Sequence, residues 1–404
     1  MNSRSVVILG STGSIGTTAL ELISRNRERF RVLALSGGGH NVGLLAQQAL
    51  EFDVEVVAVA KATVAQDLQL AFYAEAQRKG YAQGEFRIPK IITGPDASSE
   101  LAAMPCDVVL NGINGSVGLH ATLAALDAGN TLALANKESL VIGGPIVTRR
   151  AKPGQIVAVD SEHSAIAQCL RGGTPNEVRK LILTASGGPF LGRPRSELAD
   201  VTVEQALNHP NFAMGPVVTI NSATLVNKGL ELIEAHLLFG IPMDRIDVVI
   251  HRQQAIHSMV EFFDGATIAQ VGVPTMTVPI GLALGWPDRI ADASPPWNFA
   301  EASIWTFQPV DDAEFPSVGL AREAGTRGGT APAVFNAANE VCVEAFRAGR
   351  LPFTGIVDTV ARVVTEHDVP SYVELSVDDV LAADAWARKR AREITGGVQE
   401  NQKA

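Results

Sequence analysis

The stretch VAVDSEHSAIAQ (157–168) ends an apolar run with two acids, Asp160 and Glu162, one residue apart. Carboxylates this close repel each other unless a cation or a hydrogen-bond donor offsets their charge. Asp160 could simply cap the helix predicted after it, but a cap needs only one acid. A hard divalent cation would use both, because such ions bind carboxylate oxygens.

A third oxygen ligand is available in NKGLELIEAHLL (227–238). Lys228, Glu231 and Glu234 recur at every third residue, so they share one face of a predicted helix. The sequence leaves two interpretations open for these acids, which are a metal site and a set of surface salt bridges.

A glycine-rich turn begins the chain, in VVILGSTGSIGTTALELI (6–23). Gly10, Gly13 and Gly16 lie between a strand run and a helical run, where backbone can approach a pyrophosphate and a helix N-terminus can bind its charge. Glycines at such a turn can also serve conformation alone, and the GxxGxxG spacing is one residue looser than the usual fingerprint. Their position at the head of a βαβ series favours nucleotide binding.

The end of the second strand indicates which nucleotide. An NAD enzyme usually places Asp or Glu there to accept the ribose 2′-hydroxyl, whereas RVLALSGGGHN (31–41) has no carboxylate. Ser36, His40 and Asn41 can donate hydrogen bonds to a 2′-phosphate, so the sequence favours NADP. A merely flexible glycine loop is the alternative.

Polar residues follow a later buried strand in TLALANKESL (131–140), at the sheet edge where ligands bind in open parallel sheets. Lys137 is well placed there to bind a substrate. A solvated ion pair between Lys137 and Glu138 is the competing interpretation.

A possible phosphate site begins at LTASGGPF (183–190), where Ser186 precedes two glycines that expose backbone amides. Ser222, Asn227 and Lys228 could complete it with a hydroxyl, an amide and an ammonium group. Each of these residues could also be a simple turn former, so their joint placement near element ends is the argument.

The loop QALNHPNFAMGP (205–216) carries His209 together with the apolar residues Phe212 and Met214. Ordinary loops are polar, so exposed apolar residues predict a lid that closes over a ligand. A loop packed permanently on the core is the alternative.

The elements that position these residues indicate an α/β protein. Apolar runs alternate with helical stretches up to about residue 160, as in a Rossmann-like, doubly wound parallel sheet. Later strand patterns, among them KLILTAS (180–186) and VVTINSA (217–223), have fewer helices between them and predict an α+β domain. The predicted boundaries are 1–159 for the NADPH-binding domain, 160–290 for a catalytic and metal-binding domain, 291–314 for a linker, 315–395 for a C-terminal helical domain and 396–404 for a disordered tail.

Composition excludes several classes of protein. The 404 residues carry a net charge of −10 without a basic tract, which disfavours nucleic acid as a partner because that binding requires cations. No apolar run reaches the roughly 18 residues that cross a membrane, and the N-terminus lacks a signal-peptide pattern, so a cytoplasmic enzyme is expected. Cys106, Cys169 and Cys342 have no CxxC spacing and are interpreted as buried thiols.

In this order, GSTGSIG, ANKESL, VDSEHSAI, ASGGPF, HPNFAMG and NKGLELIEA closely resemble the 1-deoxy-D-xylulose 5-phosphate reductoisomerase family, from about residue 6 into the C-terminal helices. The resemblance implies NADPH and a divalent metal (Mn²⁺, Mg²⁺ or Co²⁺) as cofactors and a homodimer as the assembly. It implies conversion of 1-deoxy-D-xylulose 5-phosphate to 2-C-methyl-D-erythritol 4-phosphate, in the non-mevalonate route to isoprenoids. The metal would stabilise enolate charge during a retro-aldol and re-aldol rearrangement that precedes reduction.

The resemblance also assigns roles to residues. Metal ligation is implied for Asp160, Glu162 and Glu231, and catalysis for these three with Lys137. NADPH contacts are implied for Thr12, Gly13, Ser14, Ile15, Gly39, His40, Asn41, Asn136, Glu138 and Gly215. Substrate contacts are implied for Lys137, Ser161, Glu162, Ser186, His209, Ser222, Asn227, Lys228 and Glu231, with Ser186, Ser222, Asn227 and Lys228 mainly at the phosphate.

Two residues depart from the family pattern. Phe212 stands where the lid typically carries tryptophan, which predicts stacking with less contact area. His40 stands where lysine or arginine is common, and an imidazole changes charge near neutral pH. The affinity for NADPH is therefore expected to depend on pH between about 6 and 8.

Two other functions compete with this one. An NADP-dependent semialdehyde or sugar-acid dehydrogenase would need no metal, but it would need a nucleophilic cysteine or a Lys/His pair in the second domain. Cys169 lies in the apolar stretch AIAQCLRGG, which argues against an activated thiol. An NADP-sensing regulatory protein would leave the acids and the apolar lid without a purpose.

Overall fold

The computed structural model describes residues 3–82, 86–210, 215–371 and 374–401, with side chains up to residue 396. Two compact units divide the chain. Unit 1 comprises Met1–Ser139, Arg149–Ser164 and Thr275–Ser294, and unit 2 comprises Leu140–Thr148, Ala165–Pro274 and Pro295–Ala404. Residues 275–294, which the sequence boundaries mostly place in the catalytic domain, thus belong to unit 1.

Strands and helices alternate in the first part of the chain. They are β1 (Arg4–Leu9), α1 (Ser14–Ser24), β2 (Phe30–Gly37), α2 (Val42–Glu51), β3 (Val56–Val59), α3 (Ala65–Arg78), β4 (Lys90–Thr93), α4 (Ala97–Ala102), β5 (Val108–Asn111), α5 (Leu119–Asp127), β6 (Thr131–Leu134), α6 (Lys137–Arg150), β7 (Ile156–Ala158) and α7 (Ser161–Cys169). Strands β1 to β7 form one parallel sheet in the order β4-β3-β2-β1-β5-β6-β7. The predicted doubly wound sheet is confirmed, because the continuous apolar runs form parallel strands, most of which are buried on both faces.

The remaining elements follow in chain order. They are β8 (Val178–Ala185), α8 (Val203–Ala206), α9 (Pro216–Ala223), α10 (Val226–Phe239), β9 (Ile246–Ile250), β10 (Ile256–Phe262), β11 (Thr267–Val271), α11 (Thr277–Gly285), β12 (Gln308–Pro309), α12 (Ser317–Arg327), α13 (Ala331–Arg347), α14 (Phe353–Glu366) and α15 (Val377–Asn401). Short 3-10 helices span Ala62–Val64, Ser116–Gly118, Leu170–Gly172, Pro175–Glu177, Arg195–Glu197 and Met243–Arg245. Strands β8 to β12 form a second, mixed sheet in the order β11-β10-β8-β9-β12.

Each unit has its own apolar core. In unit 1 the sheet packs with α11, whose Ile280, Ala283 and Leu284 are buried in the same cluster as α1. In unit 2 one cluster joins the second sheet, α9 and α10 to the C-terminal helices α12 to α15. The C-terminal helices therefore share a core with the sheet that precedes them.

The strand predicted at residues 217–223 is wrong, because these residues form helix α9. The β-branched run VVT suggested a strand, but Pro216 occupies the first helical turn, where its fixed φ and missing N–H are compatible with a helix. Helical spacing then buries Thr219, Ile220 and Ala223 together. Packing overrides the weak local propensity. At the other end of the chain, α15 continues to Asn401, into the range for which the sequence predicts a disordered tail.

Cys169 and Cys342 are buried as predicted, whereas Cys106 is only partly buried. Desolvation raises the pKa of Cys106 and of Cys169 to about 11 and that of Cys342 to about 12. Such thiols are protonated at neutral pH and therefore weakly reactive. Among the described residues, no helix combines the length and the apolar character needed to cross a membrane.

Candidate active-site regions of the two units

In unit 1 the glycine turn between β1 and α1 is closed by contacts that leave no room for side chains. A Cβ at Gly16 would lie 2.4 Å from Ser11 Cα, and one at Gly10 would lie 2.8 Å from the Gly112 carbonyl oxygen. Gly13 donates its N–H to the Gly10 carbonyl oxygen at 3.0 Å and precedes the first residue of α1. The first turn of α1 contains no acid, so its open N–H groups suit a phosphate.

Buried side chains hold this turn in place. Gln48 of α2 donates from Nε2 to the Ser11 carbonyl oxygen at 2.9 Å, and Ser11 Oγ donates to Gln48 Oε1 at 2.9 Å. The carbonyl oxygen of Ser36 accepts the N–H groups of Gly10 and Ser11 at 3.0 and 2.9 Å. Gln48 is not among the residues that the sequence motifs indicate, although a polar residue on the apolar face of a helix is a usable signal.

The hypothesis that Ser36 contacts a 2′-phosphate is wrong. Ser36 is 1% exposed, and its Oγ accepts hydrogen bonds from the Gly10 N–H and from Ser98 Oγ. His40 and Asn41 are exposed, and Asn41 caps α2 by accepting the Leu44 N–H at 3.1 Å. These two residues therefore keep the predicted role of binding a 2′-phosphate.

Asn136 is almost completely buried and binds the protein's own loop. Its Nδ2 donates to the carbonyl oxygens of Ile113 and Gly115, the second at 2.9 Å. Its Oδ1 accepts the Ser139 N–H at 2.9 Å, which caps α6. The side chain thus positions the loop after β5 and the start of α6, where Lys137 and Glu138 lie.

Lys137 and Asp160 meet at the C-terminal edge of the sheet, because they follow the adjacent parallel strands β6 and β7. Lys137 Nζ lies 2.5 Å from Asp160 Oδ2, and both side chains are largely buried. Burial alone would raise the pKa of Asp160, but the Lys137 ammonium, His163 and the Glu162 side chain hold it well below its usual range. Asp160 is consequently a carboxylate at any ordinary pH.

Glu162 adds a second carboxyl group next to Asp160. Oxygen atoms of the two side chains lie within 4.8 Å of each other, and Ser161 Oγ donates to Glu162 Oε2 at 2.5 Å. The two acids are therefore a close pair in unit 1, and the backbone carbonyl of Asp160 accepts the first helical N–H of α7 from Ser164 at 2.8 Å. Capping alone does not account for both acids.

In unit 2 the loop after β8 brings Ser186 beside two other predicted substrate residues. Ser186 Oγ and His209 Nε2 are 3.1 Å apart, and the Gly188 N–H donates to Ser186 Oγ at 3.2 Å. A Cβ at Gly188 would lie 2.9 Å from the Ser222 carbonyl oxygen, so this loop lies directly against the end of α9. Burial lowers the pKa of His209, which keeps its imidazole neutral at pH 7.

The first turns of α10 bury two opposite charges. Lys228 and Glu231 are 4% and 1% exposed, and Lys228 Nζ donates to Glu231 Oε2. Asn227 Nδ2 donates to Glu231 Oε1 at 2.5 Å. The spacing predicted one helical face for Lys228, Glu231 and Glu234, and all three are buried in α10, which excludes a surface salt bridge.

Other predicted residues have simpler positions. Thr12 lies in the glycine turn and Ser14 and Ile15 in the first turn of α1, Gly39 follows β2, Glu138 accepts from Asn136 at 3.2 Å, and Gly215 precedes α9. The lid residues Phe212 and Met214 lie outside the described residues, which end at 210 and resume at 215.

These features define a class of protein, namely a dinucleotide-binding protein with a Rossmann-like sheet and buried charged residues. A Rossmann-like parallel sheet carries a dinucleotide-type glycine turn in unit 1, and buried acids and lysines lie at strand ends and helix starts in both units. The dehydrogenase alternative requires an activated thiol or a Lys/His pair, and the raised pKa of Cys169 argues against the thiol.

Comparison with known proteins makes the assignment specific. The model for 1-deoxy-D-xylulose 5-phosphate reductoisomerase matches residues 6–144, the model for its C-terminal domain matches 156–239, and the model for the DXP reductoisomerase C-terminal domain matches 271–390. The 1-deoxy-D-xylulose 5-phosphate reductoisomerases of Streptomyces coelicolor and Kitasatospora griseola are 58% and 60% identical to the chain. These matches cover 98% and 97% of this chain and 94% and 100% of those proteins.

Solved structures agree with this result. The 1-deoxy-D-xylulose 5-phosphate reductoisomerase from Zymomonas mobilis in complex with NADPH is 39% identical, with a TM-score of 0.87 over 97% of this chain and 99% of that chain. A DOX-P reductoisomerase in complex with NADPH, fosmidomycin and magnesium is 35% identical, with a TM-score of 0.88 over 98% and 99%. The chain belongs to the 1-deoxy-D-xylulose 5-phosphate reductoisomerase family.

Proposed function

We propose that the chain catalyses the metal-dependent isomerisation of 1-deoxy-D-xylulose 5-phosphate and its reduction by NADPH to 2-C-methyl-D-erythritol 4-phosphate. The observation that carries this proposal is the near-complete match to relatives of that name, at 55–60% identity over 96–98% of the chain. The buried acids and lysines of both units support it, because a nucleotide sensor would not need them.

NADPH binds at the glycine turn of unit 1 in this proposal. Open N–H groups at the start of α1 receive its pyrophosphate, and Thr12, Gly13, Ser14 and Ile15 line that contact. His40 and Asn41, which are exposed after β2, contact the 2′-phosphate. Gly39, Asn136, Glu138 and Gly215 complete the predicted set, with Asn136 acting through the loop that it holds.

A divalent cation is held by Asp160, Glu162 and Glu231 in this proposal. The donor chemistry fits, because all three are carboxylates in largely buried positions and hard cations prefer oxygen ligands. Lys137 and Lys228 give two of these acids a positive partner within each unit. When bound there, the cation supplies Lewis-acid stabilisation of negative charge on substrate oxygens.

The substrate's phosphate binds in unit 2, at Ser186, Ser222, Asn227 and Lys228, with His209 beside Ser186. Binding energy from this remote group would orient the sugar for reaction. Ser161 lies next to the acids of unit 1. Lys137 and Glu231 are the groups proposed to hold or move protons. The ammonium group of Lys137 is paired with the carboxylate of Asp160.

The assembly and the location belong to the same proposal. We expect a homodimer, as the resemblance implies, and a cytoplasmic location, with neither nucleic acid nor membrane as a partner. Light scattering of the purified chain at several concentrations checks the mass, and a monomer at all of them would contradict the dimer.

One assay tests the activity. NADPH oxidation is followed at 340 nm with 1-deoxy-D-xylulose 5-phosphate, with Mn²⁺ or Mg²⁺, and after addition of EDTA. Substrate-dependent oxidation that EDTA abolishes and Mn²⁺ restores is the expected result. Oxidation that is insensitive to EDTA, or that needs a semialdehyde in place of the phosphorylated sugar, would refute the proposal.

A further inference from the structure

Two asparagines far apart in the sequence are bonded inside unit 2. Asn339 of α13 donates from Nδ2 to Asn221 Oδ1 of α9 at 2.9 Å. Asn339 is fully buried and Asn221 is 5% exposed. Burying two amides is costly unless they bind each other, so this pair is a specific tie between the two helices.

A hydroxyl group also joins the C-terminal helices to the end of α9. Ser317, the first residue of α12, is fully buried and donates from Oγ to the Thr224 carbonyl oxygen at 2.5 Å. Thr224 ends α9, and Leu225 (φ 60°) turns the chain into α10 after it. The C-terminal helices thus bind α9 at its last two turns and at the corner that follows.

These ties lie directly behind the proposed phosphate-binding residues. Ser222 is the neighbour of Asn221 on α9, and Asn227 and Lys228 begin α10 just after the corner. The Ser186 loop presses on the same place, because a Cβ at Gly188 would meet the Ser222 carbonyl oxygen at 2.9 Å and Ala223 Cα at 3.1 Å. A small movement of α9 would therefore displace both Ser222 and the loop that carries Ser186.

The remaining polar group of the pair is also informative. Asn339 Oδ1 is buried and has no hydrogen-bond partner among the described residues. An unsatisfied buried oxygen costs free energy that an apolar residue would avoid. An amide at this position is therefore less favourable for packing than an apolar side chain. The bond to Asn221 is the function that accounts for the amide.

We propose that Asn339 and Asn221 are positioning residues for the phosphate site, and that the C-terminal helices set the affinity for the substrate's phosphate through them. The proposal deepens the proposed function and rests on it for the substrate. Asn339 touches neither substrate nor cofactor in this account, since it acts through α9 and Ser222.

Asn336 provides a matched control. It is 1% exposed and lies one turn earlier in α13, but its Nδ2 donates to Glu340 Oε1 at 3.0 Å in the same helix. The variants Asn339→Leu and Asn336→Leu both replace a buried amide by a branched apolar side chain with the same number of non-hydrogen atoms. Only the first removes the bond to α9.

The experiment measures phosphate affinity in two ways. Calorimetry gives the Kd of inorganic phosphate for the full-length chain, and kinetics give kcat and KM for 1-deoxy-D-xylulose 5-phosphate. For Asn339→Leu we expect both Kd and KM to rise about tenfold while kcat and NADPH affinity change less than about threefold, because displaced binding groups weaken a remote contact. Asn336→Leu should lower the unfolding temperature without changing either constant.

A further variant guards against a simple loss of folding. Ser317→Ala removes only the hydrogen bond to Thr224. It should weaken phosphate binding about threefold, which is the size of effect expected from the loss of one hydrogen bond.

Unchanged phosphate affinity in both Asn339→Leu and Ser317→Ala would overturn the proposal, as would equal weakening in Asn339→Leu and Asn336→Leu. A wild-type chain that binds phosphate but does not turn over 1-deoxy-D-xylulose 5-phosphate would refute the proposed function instead. In that case the calorimetric comparison still decides the role of Asn339.

Discussion

The two proposed ligand-binding regions are constructed differently. In unit 1 the glycine turn is a backbone structure, shaped by close approach at Gly16 and fixed by Gln48 and Ser36. In unit 2 the region is made of side chains, among them the buried charged pair Lys228 and Glu231. The glycine turn of unit 1 depends on the shape of the backbone, whereas the region in unit 2 depends on charged groups that are buried away from water.

This difference predicts how each region fails. A backbone turn is damaged by added atoms, and the damage does not depend on pH or salt. A buried charged pair is damaged by removing one partner, because the other charge is then left with little solvation. The Lys137–Asp160 pair extends the second kind of construction into unit 1.

The largest effect is expected for Glu231→Gln. The neutral amide removes a proposed metal ligand and the carboxylate that Lys228 and Asn227 bind, so kcat should fall about 10³-fold or more. NADPH affinity, measured by fluorescence titration, should stay within about threefold. Glu340→Gln, which alters a partly buried ion pair with Arg388, is the control and should keep its turnover. Near-normal metal-dependent activity of Glu231→Gln would remove Glu231 from the ligand set.

Gly16→Ala should break the other side of the comparison. The new Cβ would lie 2.4 Å from Ser11 Cα and 2.5 Å from the Gly10 carbonyl oxygen, so the turn must open. Overpacking of this kind costs about 1–3 kcal/mol, which predicts NADPH binding about 10- to 100-fold weaker. Gly43→Ala, where a Cβ meets nothing within 4 Å, should bind NADPH normally. Equal affinities for the two variants would show that the turn tolerates bulk.

Gln48→Ala tests whether the turn needs its buried support. Losing the reciprocal bonds to Ser11 should weaken NADPH binding by up to about 30-fold, since two hydrogen bonds of about 1 kcal/mol each are removed. The exposed neighbour Gln47→Ala is the matched control and should be silent. An identical Kd for both variants would mean that the glycines alone hold the turn.

The smallest effect is expected at the exposed His40. His40→Lys adds a permanent charge where the 2′-phosphate is proposed to bind, and exposed ion pairs contribute about 0.2–1 kcal/mol. NADPH affinity should rise two- to fivefold, with NADH affinity unchanged. Equal NADPH affinities of His40→Lys and the wild type would exclude the contact.

The same contrast explains what the sequence could predict. Backbone sites leave local signatures, so the glycine turn and the parallel sheet around it could be predicted from the sequence. The acid pair of Asp160 and Glu162 is also a local motif. The helical face of α10 was readable from its spacing. The β-branched run of α9 misled, because burial rather than propensity decided its conformation.

Contacts between distant segments could not be predicted. Nothing near Asn221 indicates that its partner is Asn339, 118 residues later, and the helix of Ser317 gives no hint of Thr224. The interpretation of Ser36 failed for a related reason. A polar residue at a strand end can turn inward to hold a loop, and only the packing shows which way it points.

The shielding of the three thiols has a practical consequence for studying this enzyme family member. Because their pKa values are about 11 or 12, they should react slowly with maleimides near pH 7. A single cysteine added on the surface, for example by Gln47→Cys on the exposed side of α2, would then label selectively without deleting any native residue first. One substitution would therefore allow a fluorescent probe to be attached to α2, near the proposed NADPH-binding turn.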